Sequence, residues 1–104
     1  MSLRISVCYG KPTDEAAFDE HYARVHIPLA KAVPGLTRFT CGKVSSLDGT
    51  EPRYYAVAGL YFADEETMQT ALRSPEMRAA GGDVANFATG GATMYVTDEH
   101  EVGL

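Results

Sequence analysis

Four stretches of the chain have the residue pattern of β-strands. In the first stretch, Leu3, Ile5, Val7 and Tyr9 are spaced two apart, which is the period of a β-strand with one buried face. Three later stretches are rich in β-branched and aromatic residues and are bounded by Gly, Pro or Asp. The pattern therefore predicts four strands, near residues 3–9, 36–45, 53–62 and 91–97.

Between the first two strands, apolar residues recur at the spacing of an α-helix. The stripe that we expect to face the sheet consists of Phe18, Tyr22, Val25 and Leu29. Thr13 is the predicted N-cap of this helix. Because Pro28 cannot donate a backbone hydrogen bond and disfavours the helical state of the residue before it, we expect a kink or restart near residues 26–27.

A second helical region follows the third strand. Asp64 is its predicted N-cap, and Ser74 with Pro75 is predicted to begin a further helical turn. The apolar face of the region after Asp64 consists of Met68, Ala71 and Leu72. Both helical regions are therefore amphipathic, as expected for helices that pack on a sheet.

The resulting order, β-α-β-β-α-β, is typical of the α+β ferredoxin-like fold, in which helices cover one face of a four-stranded antiparallel sheet. The 104 residues suffice for one such domain, so we expect a single domain over residues 1–104. The two cysteines, Cys8 and Cys41, should be buried or half-buried in strands. Because the third strand separates their strands in this order, they should lie too far apart for a disulfide.

The third predicted strand is apolar on both faces. Tyr55, Val57 and Tyr61 should point one way, and Ala56 and Leu60 the other way. Helices cover only one face of such a sheet, so the second face requires another layer. We expect that layer to be the same face of a second copy, which would make the protein a homodimer.

Charge and hydropathy narrow the classes of partner. The formal net charge is -5 and the nine Lys and Arg residues are scattered, which argues against the basic surface of a nucleic-acid binder. No apolar run approaches the roughly 18 residues that span a membrane, and the first ten residues lack the features of a signal peptide. We therefore expect a cytoplasmic protein with neither a nucleic-acid nor a membrane partner.

Several short motifs occur in order along nearly the whole chain. They are His21-Tyr22-Ala23-Arg24-Val25-His26-Ile27-Pro28-Leu29, Pro34-Gly35-Leu36, Ser74-Pro75-Glu76 and Asp83-x-x-Asn86-Phe87-x-x-Gly90. Together they resemble the signature of the EthD family, although that family often has Trp at the position of Tyr22. The resemblance implies a dimeric α+β barrel and a role in small-molecule catabolism, since the family is named for a protein needed to break down ethyl tert-butyl ether.

His26 is the candidate catalytic residue. On a regular helix it lies beside Tyr22 at the edge of the apolar stripe, just before the irregularity at Pro28, so it should be half-buried with one polar side. An imidazole in such a place can act as a general acid or base, because it titrates near neutral pH. The alternative is a structural histidine that hydrogen-bonds the backbone.

Four further residues are candidates for substrate binding, namely His21, Tyr22, Arg38 and Tyr61. Tyrosine and arginine side chains can bind ligand oxygens, although a surface ion pair is the more ordinary role for Arg38. His21 should lie on the other flank of the apolar stripe, away from His26 and paired with Glu20 or Asp98. This separation argues against a metal site, and the glycine pairs match no phosphate-binding loop, so we expect no cofactor.

Two main functions remain open. The first is a cofactor-free isomerase, cyclase or lyase that uses His26 for proton transfer, as implied by the lactone isomerases and polyketide cyclases among the dimeric α+β barrels. The second is a non-enzymatic accessory protein that holds a hydrophobic metabolite for a partner oxygenase. A haem-degrading monooxygenase is a third possibility within the fold, without a specific haem signature here. We expect a pocket of roughly a few hundred Å³ between the first helix and the sheet, with His26 and Tyr22 on its wall.

Overall fold

The computed structural model describes residues 2–104, which form a four-stranded sheet with helices on one face. The strands are β1 (Ser2–Tyr9), β2 (Arg38–Lys43), β3 (Ala56–Phe62) and β4 (Ala92–Glu99). The helical segments are α1 (Glu15–His21), a π-helical turn (Tyr22–His26), α2 (Ile27–Lys31), α3 (Glu65–Leu72) and α4 (Pro75–Phe87). Within residues 2–104, no helix is long and apolar enough to cross a membrane.

The sheet has the strand order β2-β3-β1-β4, and every neighbouring pair is antiparallel. This confirms the predicted ferredoxin-like topology. β3 separates the strands of Cys8 and Cys41, and both cysteines are free, as expected. Cys8 is buried, but the expectation for Cys41 was wrong. Cys41 is exposed because it lies on the edge strand β2.

The helix caps agree with the sequence except for the first. Asp14, rather than Thr13, caps α1, and its carboxylate accepts the backbone N–H three residues on at 3.0 Å. Thr13 is one residue too early because its own N–H donates to the hydroxyl of Thr89 at 2.9 Å. Asp64 caps α3 and Ser74 caps α4, as predicted.

The first helix changes its hydrogen-bonding pattern at the π turn. There the N–H of Ile27 reaches back five residues to the carbonyl of Tyr22. The α-helix therefore restarts at Ile27, one of the two predicted forms of the irregularity, and continues past Pro28. Since a π turn holds one more residue than an α turn, the buried positions recur every fourth residue, at Phe18, Tyr22, His26 and Ala30. Val25, predicted to face the sheet, is instead 41% exposed.

The core lies between the helices and the inner face of the sheet. Its centre is a group of aromatic rings whose centroids are 5.1 to 5.8 Å apart, formed by Tyr9, Phe18, Tyr22 and Phe87. Met68 and Ala71 attach α3 to this core, as predicted. Leu72 does not join it fully, because it is the last residue of α3 and points about 100° away from Ala71.

The opposite face of the sheet, called the open face below, is not covered by helices. Val57 and Tyr61 lie on it, as predicted from the alternation in β3. Tyr55 does not. It precedes the first residue of β3, and its hydroxyl donates to Asp19 and accepts from Lys43, both at 2.8 Å. These bonds turn the Tyr55 ring toward the helix side of the sheet.

Candidate functional site

His26 and Asp83 form a buried pair between the first helix and α4. His26 is the last residue of the π turn and is 6% exposed, and Asp83 is equally buried. The Nδ1 atom of His26 is 3.0 Å from Oδ2 of Asp83. A charged carboxylate only accepts hydrogen bonds, so Nδ1 must carry the proton and Nε2 holds the free electron pair of the neutral ring. The pairing thus fixes which nitrogen can act as a base.

The other oxygen of Asp83 is also occupied. Its Oδ1 atom is 2.8 Å from Nε2 of His21 and accepts a hydrogen bond from Asn86 at 3.0 Å. Each contact holds the carboxylate in one orientation, with Oδ2 toward His26. Asp83 therefore aligns His26, and His21 together with Asn86 aligns Asp83.

The prediction that the two histidines lie far apart was wrong, as were the predicted partners of His21. A regular α-helix would separate His21 and His26 by 140° around its axis. The π turn between them accommodates one extra residue, so both side chains reach the same carboxylate. The expected pairing of His21 with Glu20 or Asp98 is replaced by Asp83.

Both members of the pair have a pKa below its ordinary value. Burial lowers the pKa of His26, and the hydrogen bond to Asp83 opposes that shift only in part. Burial alone would raise the pKa of Asp83, but hydrogen bonds from Asn86, His21 and His26 lower it below its ordinary value. At neutral pH the pair is therefore a neutral imidazole beside a charged carboxylate, which is the base form of the site.

Tyr22 brings an unpaired hydroxyl to the same region. Its ring lies 5.3 Å from that of His26, and the residue is 9% exposed. The hydroxyl oxygen is buried and has no hydrogen-bond partner among residues 2–104, although Tyr9 and Cys41 lie close by. Burial raises the pKa of Tyr22 strongly and that of Tyr9 to about 12. Both phenols consequently keep their protons at neutral pH.

A cavity of about 100 Å³ lies beside these groups, between the helices and the inner face of the sheet. Tyr9, Tyr22 and His26 are its polar wall residues, and the remaining wall is apolar. It occupies the predicted place but is smaller than expected. Two further wall residues, Leu72 and Met94, are 41% and 55% exposed, so the mouth lies on their side.

The chain matches known proteins over most of its length. Residues 10–91 match the model of the EthD domain. The chain belongs to the EthD family. This confirms the resemblance seen in the sequence motifs, and it places His26, Asp83 and Asn86 inside the matched region.

Two relatives are similar over nearly the whole EthD chain. The uncharacterized 11.0 kDa protein of the thcB–thcC intergenic region of Rhodococcus erythropolis is 50% identical over 99 residues, which are 95% of this chain and 96% of that protein. The crystal structure of an ethyl tert-butyl ether D (EthD) family protein from Bacillus halodurans C-125 has a TM-score of 0.90 and 32% identity, and the match covers 96% of this chain and 100% of that one.

More distant solved structures share the fold. A dimeric ferredoxin-like protein of unknown function from Jannaschia sp. CCS1 has a TM-score of 0.71 at 22% identity, with 95% of this chain and 100% of that one covered. SnoaB, a cofactor-independent oxygenase from Streptomyces nogalater, has a TM-score of 0.67 at 15% identity, with 97% of this chain and 95% of that one covered. The fold is therefore found in relatives that are dimeric and in one that works without a cofactor.

Arg38 and Tyr61 lie apart from the cavity of this EthD protein. Both are on the open face, where the guanidinium groups of Arg38 and Arg4 lie 5.3 and 5.6 Å from the centroid of the Tyr61 ring. Among the sequence candidates, the structure thus brings together Tyr22 and His26 at the cavity, with His21 behind them on Asp83. Arg38 and Tyr61 do not join that group.

Asp83, Asn86 and Tyr9 are the residues that sequence reasoning did not select for the site. The signal for the first two was present in the motif Asp83-x-x-Asn86, because residues three apart share one face of a helix. Tyr9 was indistinguishable from the other strand tyrosines. Within residues 2–104, no group of three His, Cys, Asp or Glu residues is arranged to hold a metal ion.

Proposed function

We propose that this EthD protein is a cofactor-free enzyme that moves a proton on a small organic molecule, with His26 as the general base. The observation that carries the proposal is the bond between Nδ1 of His26 and Asp83, which leaves Nε2 as the basic nitrogen of a residue on the cavity wall. The lowered pKa of His26 keeps this nitrogen unprotonated at neutral pH. Isomerisation, cyclisation and lyase chemistry all begin with such a proton transfer.

His21, Tyr22 and Asp83 have distinct supporting roles in this proposal. Tyr22 contacts the substrate, and Asp83 stabilises the imidazolium that forms when His26 takes up a proton. His21 acts through Asp83 rather than on the substrate, which revises its expected role. SnoaB, as a cofactor-independent oxygenase, supports the idea that this fold can accommodate chemistry without a bound cofactor.

The test is hydrogen–deuterium exchange from a panel of small carbon acids in D2O, followed by proton NMR. The protein should accelerate exchange from at least one compound, and His26→Gln should abolish the acceleration while the fold is retained. His100→Gln is the matched control, because His100 is exposed in the C-terminal segment and should leave the rate unchanged. A His26→Gln protein with the original exchange rate would refute the role of His26.

We also propose that the functional unit is a homodimer joined through the open face. Solved relatives with this fold are dimeric ferredoxin-like proteins. In the single chain, Tyr95 on the open face is 53% exposed, and Val57 and Tyr61 on the same face are half-buried. A second copy packed on this face would remove these apolar groups from water.

A further inference from the structure

The cavity beside His26 has no charged group on its wall. Lys, Arg, Asp and Glu are all missing from the residues that line it, and its polar members are His26 and two tyrosines. His26 is neutral at neutral pH and both phenols are protonated, as described above. An ion in this cavity would lose its hydration without touching a counter-charge, which is strongly unfavourable, because the carboxylate of Asp83 is not on the wall and is already hydrogen-bonded. The wall therefore selects an uncharged molecule.

The hydroxyl of Tyr22 specifies one polar group on that molecule. It is buried and unpaired among residues 2–104, whereas a buried hydroxyl ordinarily finds a hydrogen-bond partner. A protonated phenol can donate to an acceptor oxygen, and on an uncharged ligand a carbonyl oxygen is such an acceptor. Nε2 of His26, by contrast, has a free electron pair and requires a proton donor. A ligand that satisfies both groups has an acceptor oxygen and, nearby, a removable proton.

We propose that the substrate of this site is a small, uncharged carbonyl compound with a hydrogen on the carbon next to the carbonyl group, and that Tyr22 is a catalytic residue. This proposal rests on the proposed role of His26 as a base. It adds the class of substrate and the residue that receives the developing charge.

The proposed reaction begins with the loss of a proton from the carbon next to the carbonyl group. The C–H bond next to the carbonyl breaks, and its proton passes to Nε2 of His26. The electron pair of that bond forms a carbon–carbon double bond, and the carbonyl pair moves onto the oxygen to give an enolate. Tyr22 stabilises the enolate oxygen by donating a hydrogen bond, and Asp83 stabilises the imidazolium. Return of the proton to the same carbon regenerates the ketone with its hydrogen exchanged, and where a carbon–carbon double bond is conjugated with the enolate, return to the far carbon of that bond gives an isomer.

The size of the cavity limits the first probes to small ketones. Its volume of about 100 Å³ is of the same order as that of an apolar cavity of about 150 Å³ that binds benzene. Butanone, cyclopentanone and cyclohexanone are suitable neutral probes. Methylenecyclopentane has the shape of cyclopentanone without the oxygen, and cyclopentanecarboxylate adds a negative charge.

The experiment measures probe binding by NMR and exchange of the ketone hydrogens in D2O. The ketones should bind more tightly than methylenecyclopentane, and cyclopentanecarboxylate should bind least. Tyr22→Phe should weaken ketone binding about tenfold, as expected for one lost hydrogen bond, and leave methylenecyclopentane binding unchanged. The same variant should slow ketone exchange at least as much. Tyr54→Phe, a tyrosine outside the cavity wall, is the control.

The outcomes separate this inference from the proposed function. Exchange that depends on His26 but not on Tyr22 would overturn the inference and leave the base intact. Ketone binding that depends on Tyr22, without any exchange, would retain the ligand class and refute the catalytic step together with the proposed function. Preference for the carboxylate, or failure of all three ketones to bind, would refute the substrate class.

Discussion

The unpaired hydroxyl of Tyr22 has an energetic cost in the empty protein. A buried polar group without a partner loses its hydrogen bonds to water and gains none in return. The cost is recovered only when a ligand supplies an acceptor. A residue of this kind is therefore selected for binding at the expense of stability.

Replacement of Tyr22 by Phe should consequently stabilise the free protein. The change removes the unsatisfied oxygen and keeps the ring, so the free energy of unfolding should rise by about 1 kcal/mol. Tyr55→Phe makes the same chemical change where the hydroxyl is bonded to Asp19 and Lys43, and should lower stability by about 0.5–1.5 kcal/mol. Urea denaturation of the two variants gives the comparison. A loss of stability in Tyr22→Phe would show that its hydroxyl is satisfied.

The lowered pKa of His26 predicts how stability depends on pH. The unfolded chain takes up a proton at the ordinary histidine pKa of 6.5, whereas the folded protein resists protonation to a lower pH. The contribution of His26 is therefore complete above pH 6.5 and declines as pH falls from there toward the lowered pKa. The slope cannot exceed about 1.4 kcal/mol per pH unit for one proton. Denaturation at several pH values should show this decline.

Two histidine variants test whether His26 causes this dependence of stability on pH. His26→Gln should flatten the dependence on pH below 6.5, because glutamine does not titrate. His100→Gln is the matched control, since it replaces an exposed histidine outside the His26–Asp83 pair. Equal slopes in the two variants would mean that His26 is protonated equally well in the folded and unfolded states.

At the level of single residues, the sequence predicted which residues supply the chemistry better than it predicted which residues contact one another. It selected His26 and Tyr22 from motif and residue type, and both line the cavity. It placed Asp83 in a motif but could not supply its contact with His26, which is 57 residues away in the chain. Contacts over such distances depend on helix packing, which local spacing does not specify.

The π turn is the element that shapes the site. A π turn holds one residue more than an α turn, so the five steps from His21 to His26 cover nearly the arc of four steps in an α-helix. Both histidines reach Asp83 for this reason. Pro28, two residues after the turn, has no N–H and would crowd a carbonyl in a regular helix, and a wider turn can relieve that contact.

Deletion of Ala23 tests this description. Ala23 is exposed and lies in the π turn, so its loss should convert the turn to α-helix and keep both histidines directed at Asp83. We expect a folded protein with little change in stability. Deletion of Ala85, an exposed alanine in the regular helix α4, should rotate Phe87 by about 100° relative to Asp83 and cost several kcal/mol. Equal damage from both deletions, measured by thermal unfolding, would refute the comparison.

The sequence located this helix but assigned its buried side incorrectly. A regular helix with a constant rotation of 100° per residue placed Val25 in the apolar stripe that faces the sheet and His26 at the edge of that stripe. The signal that was available is the spacing of Phe18, Tyr22, His26 and Ala30, which are four apart throughout and do not fit one face of a regular helix for long. The irregularity before Pro28 and the restart of the α-helix near residue 27 were expected, but the π turn that produces them was not.

The strand order was the most predictable property of the whole molecule. Two-residue alternation and the turn residues specified four antiparallel strands, and the family motifs agreed. The strand ends were less predictable. β2 is two residues shorter than predicted at each end, and β3 begins three residues later than predicted. Tyr55 falls outside the alternation because side-chain bonds to the first helix determine its direction.

Assembly can be tested through the open face. If two copies pair there, light scattering should give twice the chain mass of 11.2 kDa. The interface should bury more than about 1,200 Å² in total. Val57→Glu places a charge on that face and should give monomers. Val25→Glu is the matched control, because Val25 is exposed on the helix side and should leave the dimer intact. A wild-type monomer at micromolar concentration would refute the homodimer.

The cavity has a further consequence for the molecule under hydrostatic pressure. Where the apolar wall keeps water out, about 100 Å³ of empty volume corresponds to roughly 60 mL/mol, which lies within the range of about 20–100 mL/mol by which proteins contract on unfolding. Water fills such a void when the chain opens, so compression favours the unfolded state. A molecule that occupies the cavity reduces the volume change of unfolding by this amount. High-pressure fluorescence of the tyrosines would therefore report occupancy without knowledge of the ligand, as an increase in the pressure needed for unfolding.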